Sequence, residues 1–148
     1  AFEIEALMDH DIETIAHEAL VPAHSIARVG DALPALGIVA AVLGVVHALG
    51  SADLPPSEMG ALIAHAMVGT FLGVLLAYGF VTPLASLIEQ RVAEGMKVYQ
   101  CAKVTLLASL NGYAPQLAVE FGRKVLFSTE RPSFVELDQH VRDVKAAK

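Results

Sequence analysis

Two long stretches without a charged side chain, Ala32–Ala52 and Met59–Ile88, dominate the pattern of apolar and polar positions in this sequence. Each is long enough to cross a bilayer, which needs about 20 apolar residues in a helix. The segment between them contains no Lys or Arg; of the 10 basic residues, Arg28 precedes the pair and the others follow it. Because basic residues tend to stay on the cytoplasmic side, the pattern predicts a membrane hairpin with both termini in the cytoplasm.

The predicted hairpin occupies residues 32–88, with spans at about 32–51 and 60–88 joined by an external loop at 52–59. The second stretch is longer than one bilayer crossing requires, so it must tilt or continue into the cytoplasm. Ser57 is the candidate N-cap of this second helix, because a serine hydroxyl can accept a hydrogen bond from the first turn.

The segment before the hairpin, residues 1–31, has apolar positions at helical spacing and is predominantly acidic. It is predicted to form a cytoplasmic helix that Val21–Pro22 ends or bends, because proline lacks a backbone N–H. The sequence as a whole therefore predicts an all-α integral membrane protein, a two-span transmembrane helical hairpin with cytoplasmic helices at both ends.

The segment after the hairpin, residues 89–148, has the pattern of a cytoplasmic helical tail. Asn111–Gly112 is a helix stop signal, and Pro115 is suited to the first turn of the next helix. Ser133 and Glu136 have the spacing of a capping box, which predicts a terminal helix beginning there.

Small residues recur at steps of three and four along both spans and therefore share a helix face. Such faces allow helices to approach closely in lipid, where packing drives association. We interpret this face as a surface for a pore or a partner helix, although membrane helices are in any case rich in small residues. Its members are Gly37, Ala41 and Gly44 in the first span and Gly69, Gly73 and Ala77 in the second, with Thr70 beside them.

Two prolines, Pro34 and Pro83, are predicted at similar depth near the cytoplasmic ends of the spans. Pro34 lies near the start of its span, which is an ordinary place for proline. Pro83 lies inside a helix that continues past it, so it removes the backbone hydrogen bond to the carbonyl of Gly79. Pro34, Pro83 and Gly79 are therefore candidates for a hinge at the inner mouth of an ion path.

Two histidines, His47 and His65, lie near the external ends of the spans. One interpretation is an interfacial imidazole that keeps its polar tip in water. The alternative is a role at the outer mouth of an ion path.

Composition narrows the possible function classes. The 148 residues are 55% hydrophobic and carry a formal net charge of −6, without a basic stripe, so nucleic acid is not an expected partner. The acidic face of Met8–His17 is interpreted as a solvated helix surface, and no metal site is predicted. The sequence has no hydrolytic or redox constellation, no Gly-rich phosphate loop and no CxxC motif, so we expect neither an enzyme nor a bound cofactor.

The two spans contain no Asp, Glu, Lys or Arg. A proton or sodium path across a membrane normally includes an ionisable group at mid-depth. If these helices line such a path, another chain must donate that group.

Several segments distributed over nearly the whole chain form a specific pattern: Leu33–Gly44, Gly60–Gly73, Ala77–Phe80, Asn111–Pro115, Glu120–Lys124 and Glu130–Ser133. This pattern resembles the flagellar stator proteins of the MotA type, and the two-span core is shared more loosely with TolQ and ExbB. The resemblance implies that the spans correspond to the third and fourth of a four-span protein, five copies of which surround a dimer of MotB. Since the sequence opens without Met and has no counterpart of the first two spans, we expect a longer protein.

The resemblance also implies a function. It implies a flagellar stator subunit, a proton channel in which MotB supplies the titrating Asp, with H⁺ as the coupling ion and Na⁺ as the alternative. Pro34 and Pro83 match the family's two functionally important prolines, and the small-residue faces would pack against MotB helices, with Thr70 near the ion path.

The implied location is the lipid of the bacterial inner membrane, and the implied rotor partner is FliG. The family contacts FliG through a cytoplasmic region that has no counterpart in this sequence. Two alternatives stay open: an energiser of periplasmic work of the TolQ/ExbB type, and a passive membrane assembly scaffold.

Overall fold

The computed structural model describes residues 2–51 and 53–146, which form five α-helices and one π turn and contain no β-strand. This confirms the predicted all-α class. In chain order the elements are α1 (Phe2–Gly50), α2 (Pro56–Leu76), the π turn (Ala77–Val81), α3 (Thr82–Leu110), α4 (Pro115–Val125) and α5 (Phe134–Ala146).

Helix α1 continues without a break through both Pro22 and Pro34. The expectation that α1 could end at Pro22 is therefore wrong. A proline inside a helix costs about 3 kcal/mol, but a buried residue follows each of these prolines within one turn, Ala23 after Pro22 and Gly37 after Pro34. Continuous packing of α1 therefore outweighs the loss of single backbone hydrogen bonds.

The second helical run extends from Pro56 to Leu110, and it and α1 are each long and apolar enough to cross a membrane. Pro55 is the N-cap of α2 and Pro56 occupies its first turn, without a side-chain cap. The N-cap prediction for Ser57 is therefore wrong. The φ angle that proline enforces already suits the first helical position, so the helix begins earlier than Ser57.

The chain divides into two compact units. The first, which we call the helix-pair unit, comprises Leu20–Glu89. The second, the tail unit, comprises residues 1–19 and 90–148. The helix-pair unit begins at Leu20, whereas the uncharged stretch begins only at Ala32. Helix packing therefore extends beyond the segment that hydropathy selects.

In the tail unit, the predicted helix boundaries are confirmed. Helix α3 ends at Leu110, and Gly112 adopts the left-handed backbone (φ 81°) that glycine tolerates. The Ser133 backbone N–H donates to Glu136 Oε2 (2.7 Å), and the Glu136 N–H donates to Ser133 Oγ (3.2 Å). This reciprocal pair is the capping box that begins α5.

Helices of the tail unit are joined by close packing and by a shielded ion pair. A side chain at Gly122 on α4 would collide with Thr105 on α3 and come within 3.0 Å of Cys101 Sγ. The Lys103 side chain, only 14% exposed, donates to Asp9 Oδ1 at 2.5 Å. The acidic segment of α1 is therefore attached to α3 through Lys103, in addition to being solvated.

Glu120 and Arg123 on α4 form a bidentate ion pair, with two N–O distances of 2.6 Å. The hydrogen bonds from Arg123 hold the pKa of Glu120 below its ordinary value of 4.5. A carboxylate with a lowered pKa in the folded state contributes stability above its unfolded pKa and loses that stability as pH falls through the folded pKa. We therefore expect Glu120→Gln to flatten the decline of the thermal midpoint that acid causes as pH falls below the ordinary carboxyl value of 4.5.

The measurement for this prediction is thermal unfolding of the detergent-solubilised protein as a function of pH. Glu13→Gln is the matched control, since that carboxylate on α1 is 80% exposed. Parallel pH profiles for Glu120→Gln and the unmodified protein would contradict the assignment.

Candidate functional site at the helix pair

Helices α1 and α2 approach each other through glycine, with almost no side chain between the two backbones. A Cβ atom at Gly37 would lie 2.7 Å from the Gly69 carbonyl oxygen and 3.1 Å from Gly73 Cα. Toward the loop, a Cβ at Gly44 would collide with Ala66. The order of these contacts runs in opposite directions along the two helices, so the pair is antiparallel.

The contact continues past the uncharged stretch to Gly30. A Cβ at Gly30 would lie 3.1 Å from Thr82 Oγ1 and 3.3 Å from Val81 Cγ1. Gly30 lies outside the uncharged stretch, so hydropathy gave no reason to select it, and neither Gly30 nor Thr82 is among the residues predicted for the small-residue face. The signal that could have found Gly30 is the exact seven-residue spacing of Ala23, Gly30, Gly37 and Gly44, which places small residues along one seam of a helix.

This geometry corrects the interpretation of the small-residue face. The structure brings Gly37, Gly44, Gly69 and Gly73 together, but in the contact between two helices of the same chain. These four glycines therefore do not form an open surface for a partner helix. The close approach that the sequence predicted is present inside the chain, because small residues on both spans leave the backbones free to touch.

Three further members of the predicted face lie around this contact. Ala41 and Thr70 are half-buried at its margin, and Thr70 Cα would be 3.3 Å from a Cβ at Gly37. Ala77 is completely buried. Ala41 and Thr70 thus keep partly accessible surface beside the glycine seam.

A π turn lies directly before Pro83, the candidate hinge residue of the second span. Across Ala77–Val81 the helix widens, and the Thr82 backbone N–H donates to the carbonyl of Ala77, five residues back. In a regular α-helix the Pro83 ring would collide with the carbonyl of Gly79, four residues before it. A wide turn next to Pro83 relieves that collision, and π turns inside α-helices occur frequently at functional sites.

The two prolines do not lie at the same level of the helix pair. Thr82, which precedes Pro83, faces Gly30, four residues before Pro34. Because Pro83 lies one residue on the far side of Thr82, Pro34 is about five residues, roughly 7 Å, farther toward the loop than Pro83. The pairing register, which the glycine contacts set, thus offsets along the helix pair two prolines that the sequence predicts at similar depth. Pro34 is half-buried, whereas Gly79 and Pro83 are exposed.

His47 and His65 are both exposed. The His65 ring Nδ1–H donates to the carbonyl of Ala61 at 2.7 Å, so this nitrogen bonds back to its own helix. Whether either histidine has a role at an outer mouth stays a prediction.

The helix pair offers hydrogen-bonding groups and no titrating carboxylate between residues 32 and 51 or between 59 and 88. Thr70 and Thr82 supply hydroxyl groups, and the π turn supplies a backbone with altered pairing. Among residues 2–51 and 53–146, no group of three or more His, Cys, Asp or Glu side chains is arranged to hold a metal ion. Such a surface can contact a proton-carrying group of another chain. It has no carboxylic acid of its own to carry the proton.

Comparison with known proteins gives matches over most of the chain. The model of the MotA/TolQ/ExbB proton channel family matches residues 1–101. Motility protein A of Escherichia coli is 72% identical over 97% of the chain and 49% of its own length. Motility protein A of Salmonella typhimurium is 69% identical over the same shares. The chain thus spans about half the length of the curated relatives it matches.

A solved structure, described as that of C. jejuni MotAB, aligns with a TM-score of 0.78 at 23% sequence identity. The alignment covers 88% of this chain and 51% of that one. At this level of identity the match supports the helical fold and nothing further.

Proposed function

The chain belongs to the MotA/TolQ/ExbB proton channel family, and on this premise we propose that it is part of a subunit of the flagellar motor stator. In this role it forms an ion channel with a MotB-type partner and converts ion-motive force into torque on the rotor. The observation that carries the proposal is the 72% identity to Motility protein A of Escherichia coli over 97% of the chain.

The chemistry of the helix pair is consistent with this role. The two spans carry no charged side chain, and an ion path through lipid normally needs one at mid-depth. A MotB-type partner with a single span supplies this group as a titrating Asp. Within the chain, Ala41 and Thr70 lie at the margin of the glycine contact and keep partly accessible side chains for contact with that partner.

The proposed assembly is a homo-pentamer around the partner, in the lipid of the bacterial inner membrane. Residues 1–31 and 89–148 are cytoplasmic, and residues 32–88 cross the membrane twice with the loop at 52–59 outside. The coupling ion is H⁺, with Na⁺ as the alternative, and no cofactor takes part. Contact with the rotor protein FliG occurs through a region with no counterpart in this chain.

We assign the inner mouth to the segment around Pro83, with Pro34 about five residues nearer the loop and Gly79 in the π turn. His47 and His65 are assigned to the outer mouth. The exposed position of both histidines supports this assignment.

The decisive experiment combines motility with proton flux. The gene is returned to a deletion strain and swimming is scored; the complex with its partner is then placed in vesicles containing a pH-sensitive dye. We expect restored swimming and a proton flux that falls at least about tenfold when the partner Asp becomes Asn. Flux without swimming would indicate a TolQ/ExbB-type energiser, and assembly without flux would indicate a passive scaffold; either result overturns the proposal.

A further inference from the structure

Each of two prolines in the helix pair deprives a glycine carbonyl of its ordinary hydrogen-bond donor. In an α-helix the N–H of a residue donates to the carbonyl four residues earlier, and proline has no N–H. Pro34 therefore leaves the Gly30 carbonyl without that donor, and Pro83 does the same to the Gly79 carbonyl. Such an oxygen can accept a hydrogen bond or bind a cation from outside the helix.

The π turn frees a third carbonyl next to that of Gly79. The N–H of Thr82, which is the ordinary donor to Tyr78, donates instead to Ala77, five residues back. The Thr82 hydroxyl does not replace this bond. Elsewhere a threonine hydroxyl, such as that of Thr105, donates to the carbonyl four residues earlier at 2.8 Å, but in the described part of the chain that of Thr82 makes no such bond.

The pairing register of the two helices brings these oxygen atoms to one end of the helix pair. A Cβ at Gly30 would lie 3.1 Å from Thr82 Oγ1, so the hydroxyl lies directly over the Gly30 backbone. Helix carbonyls point toward the C-terminal end of their own helix, and these two helices are antiparallel. The Gly30 carbonyl therefore points toward the level of Tyr78. The carbonyls of Tyr78 and Gly79 point back toward Thr82.

The freed carbonyls of the second span lie at the surface of the helix pair. Tyr78 is 64% exposed, and Gly79 and Pro83 are exposed as well. Lipid cannot donate a hydrogen bond, so backbone groups without a helical partner occur at membrane depth only where they face protein or a water-filled cavity. This side of the second span therefore faces water or a polar ligand and not the hydrocarbon of the membrane.

Neutral oxygen atoms are ligands that channels and transporters use for monovalent cations. Rings of carbonyls replace the hydration shell of the ion in selectivity filters, and unwound carbonyls of broken membrane helices coordinate Na⁺ or H⁺. We propose that a monovalent cation with its remaining water, a hydrated proton or Na⁺, binds at this end of the helix pair. Its ligands, together called the carbonyl site, are the carbonyl oxygens of Gly30, Tyr78 and Gly79 and the hydroxyl oxygen of Thr82. This inference rests on the proposed function, because the cation is the coupling ion of the channel.

Thr82→Val tests the carbonyl site, because valine keeps the shape of threonine and removes the one ligand that a side chain supplies. Thr82→Ser keeps the hydroxyl, and Ser86→Ala removes an exposed hydroxyl one turn farther along α3 as the matched control. Assembly and ion flux are measured in vesicles with the natural partner. We expect Thr82→Val to assemble normally and to lose at least about tenfold in flux, while the other two variants stay within about twofold of the unmodified complex.

The same flux is measured with Na⁺ and with choline as the main cation, which distinguishes the two ligands. Flux that persists in choline identifies the hydrated proton, and flux that requires Na⁺ identifies Na⁺; each supports the carbonyl site when Thr82→Val lowers it. A Thr82→Val complex that conducts within about twofold of the unmodified complex would overturn the carbonyl site. So would an equal loss in Ser86→Ala. Absence of flux from the unmodified complex in both salts would instead overturn the proposed function.

A labelling experiment decides if Thr82→Val fails to assemble. Cys101, the single cysteine of the sequence, is replaced by Ser, and Tyr78→Cys or Leu36→Cys is introduced at positions of similar exposure, 64% and 62%. N-ethylmaleimide reacts with the thiolate, which forms only where water reaches the sulfur. We expect Tyr78→Cys to react at least about tenfold faster than Leu36→Cys. Equal rates would mean that no water reaches this side of the second span and would overturn the carbonyl site.

Discussion

Replacement of Gly73 by Ala is expected to reduce the amount of assembled complex at least about tenfold. A Cβ at this position meets the Leu33 carbonyl oxygen at 2.7 Å and Gly37 Cα at 2.9 Å, and both atoms belong to backbone. Neither can move aside as a flexible side chain would. Overpacking of a tight contact costs about 1–3 kcal/mol, and 1.4 kcal/mol corresponds to a tenfold change in an equilibrium.

Gly60→Ala is the matched control for this prediction. The chemical change is the same and Gly60 also lies in α2, but a Cβ there has no neighbouring atom within 4 Å. Alanine is also the better helix former by up to about 1 kcal/mol, so this variant should assemble as well as the unmodified chain. Complex recovered from solubilised membranes and its thermal midpoint are the measurements. Equal loss in both variants would mean that the close approach of α2 to α1 at Gly73 does not decide assembly.

The Pro83→Ala variant is expected to assemble but to lose torque and at least about tenfold in proton flux. Alanine restores the backbone N–H and removes the ring that would collide with the Gly79 carbonyl in a regular helix. The wide turn at Ala77–Val81 then loses the residue that holds it at this position. Because Pro83 is exposed, its replacement removes little packing within the chain, so assembly is maintained.

Pro56→Ala provides the control for a proline that has only a helix-starting role. Pro56 occupies the first turn of α2, where a missing N–H costs nothing because no acceptor lies within the helix. Swimming speed, torque and flux should stay near those of the unmodified protein in this variant. Normal swimming of the Pro83→Ala strain would contradict a role for Pro83 in the conformational cycle.

The sequence alone determined which segments are helical and where most of them stop. Local features sufficed for this: the lengths of the uncharged stretches, the stop at Asn111–Gly112 and the capping box of Ser133 and Glu136. Each of these signals acts over a few neighbouring residues through backbone hydrogen bonds or apolar length. At Pro22 and Ser57 a local signal gave the wrong boundary, since packing along α1 and the preceding Pro56 determined the outcome.

The tertiary structure decided what the small residues face and where the two prolines lie. A stripe such as Gly69 and Gly73 predicts close approach but cannot specify the neighbour, because any helix backbone fits against glycine. The register of α1 against α2 follows from several contacts, from Gly44 with Ala66 to Gly30 with Thr82, that are distant in sequence. That register places Thr82 against Gly30, so the π turn of Ala77–Val81 lies between the close approach at Gly73 and the one at Gly30.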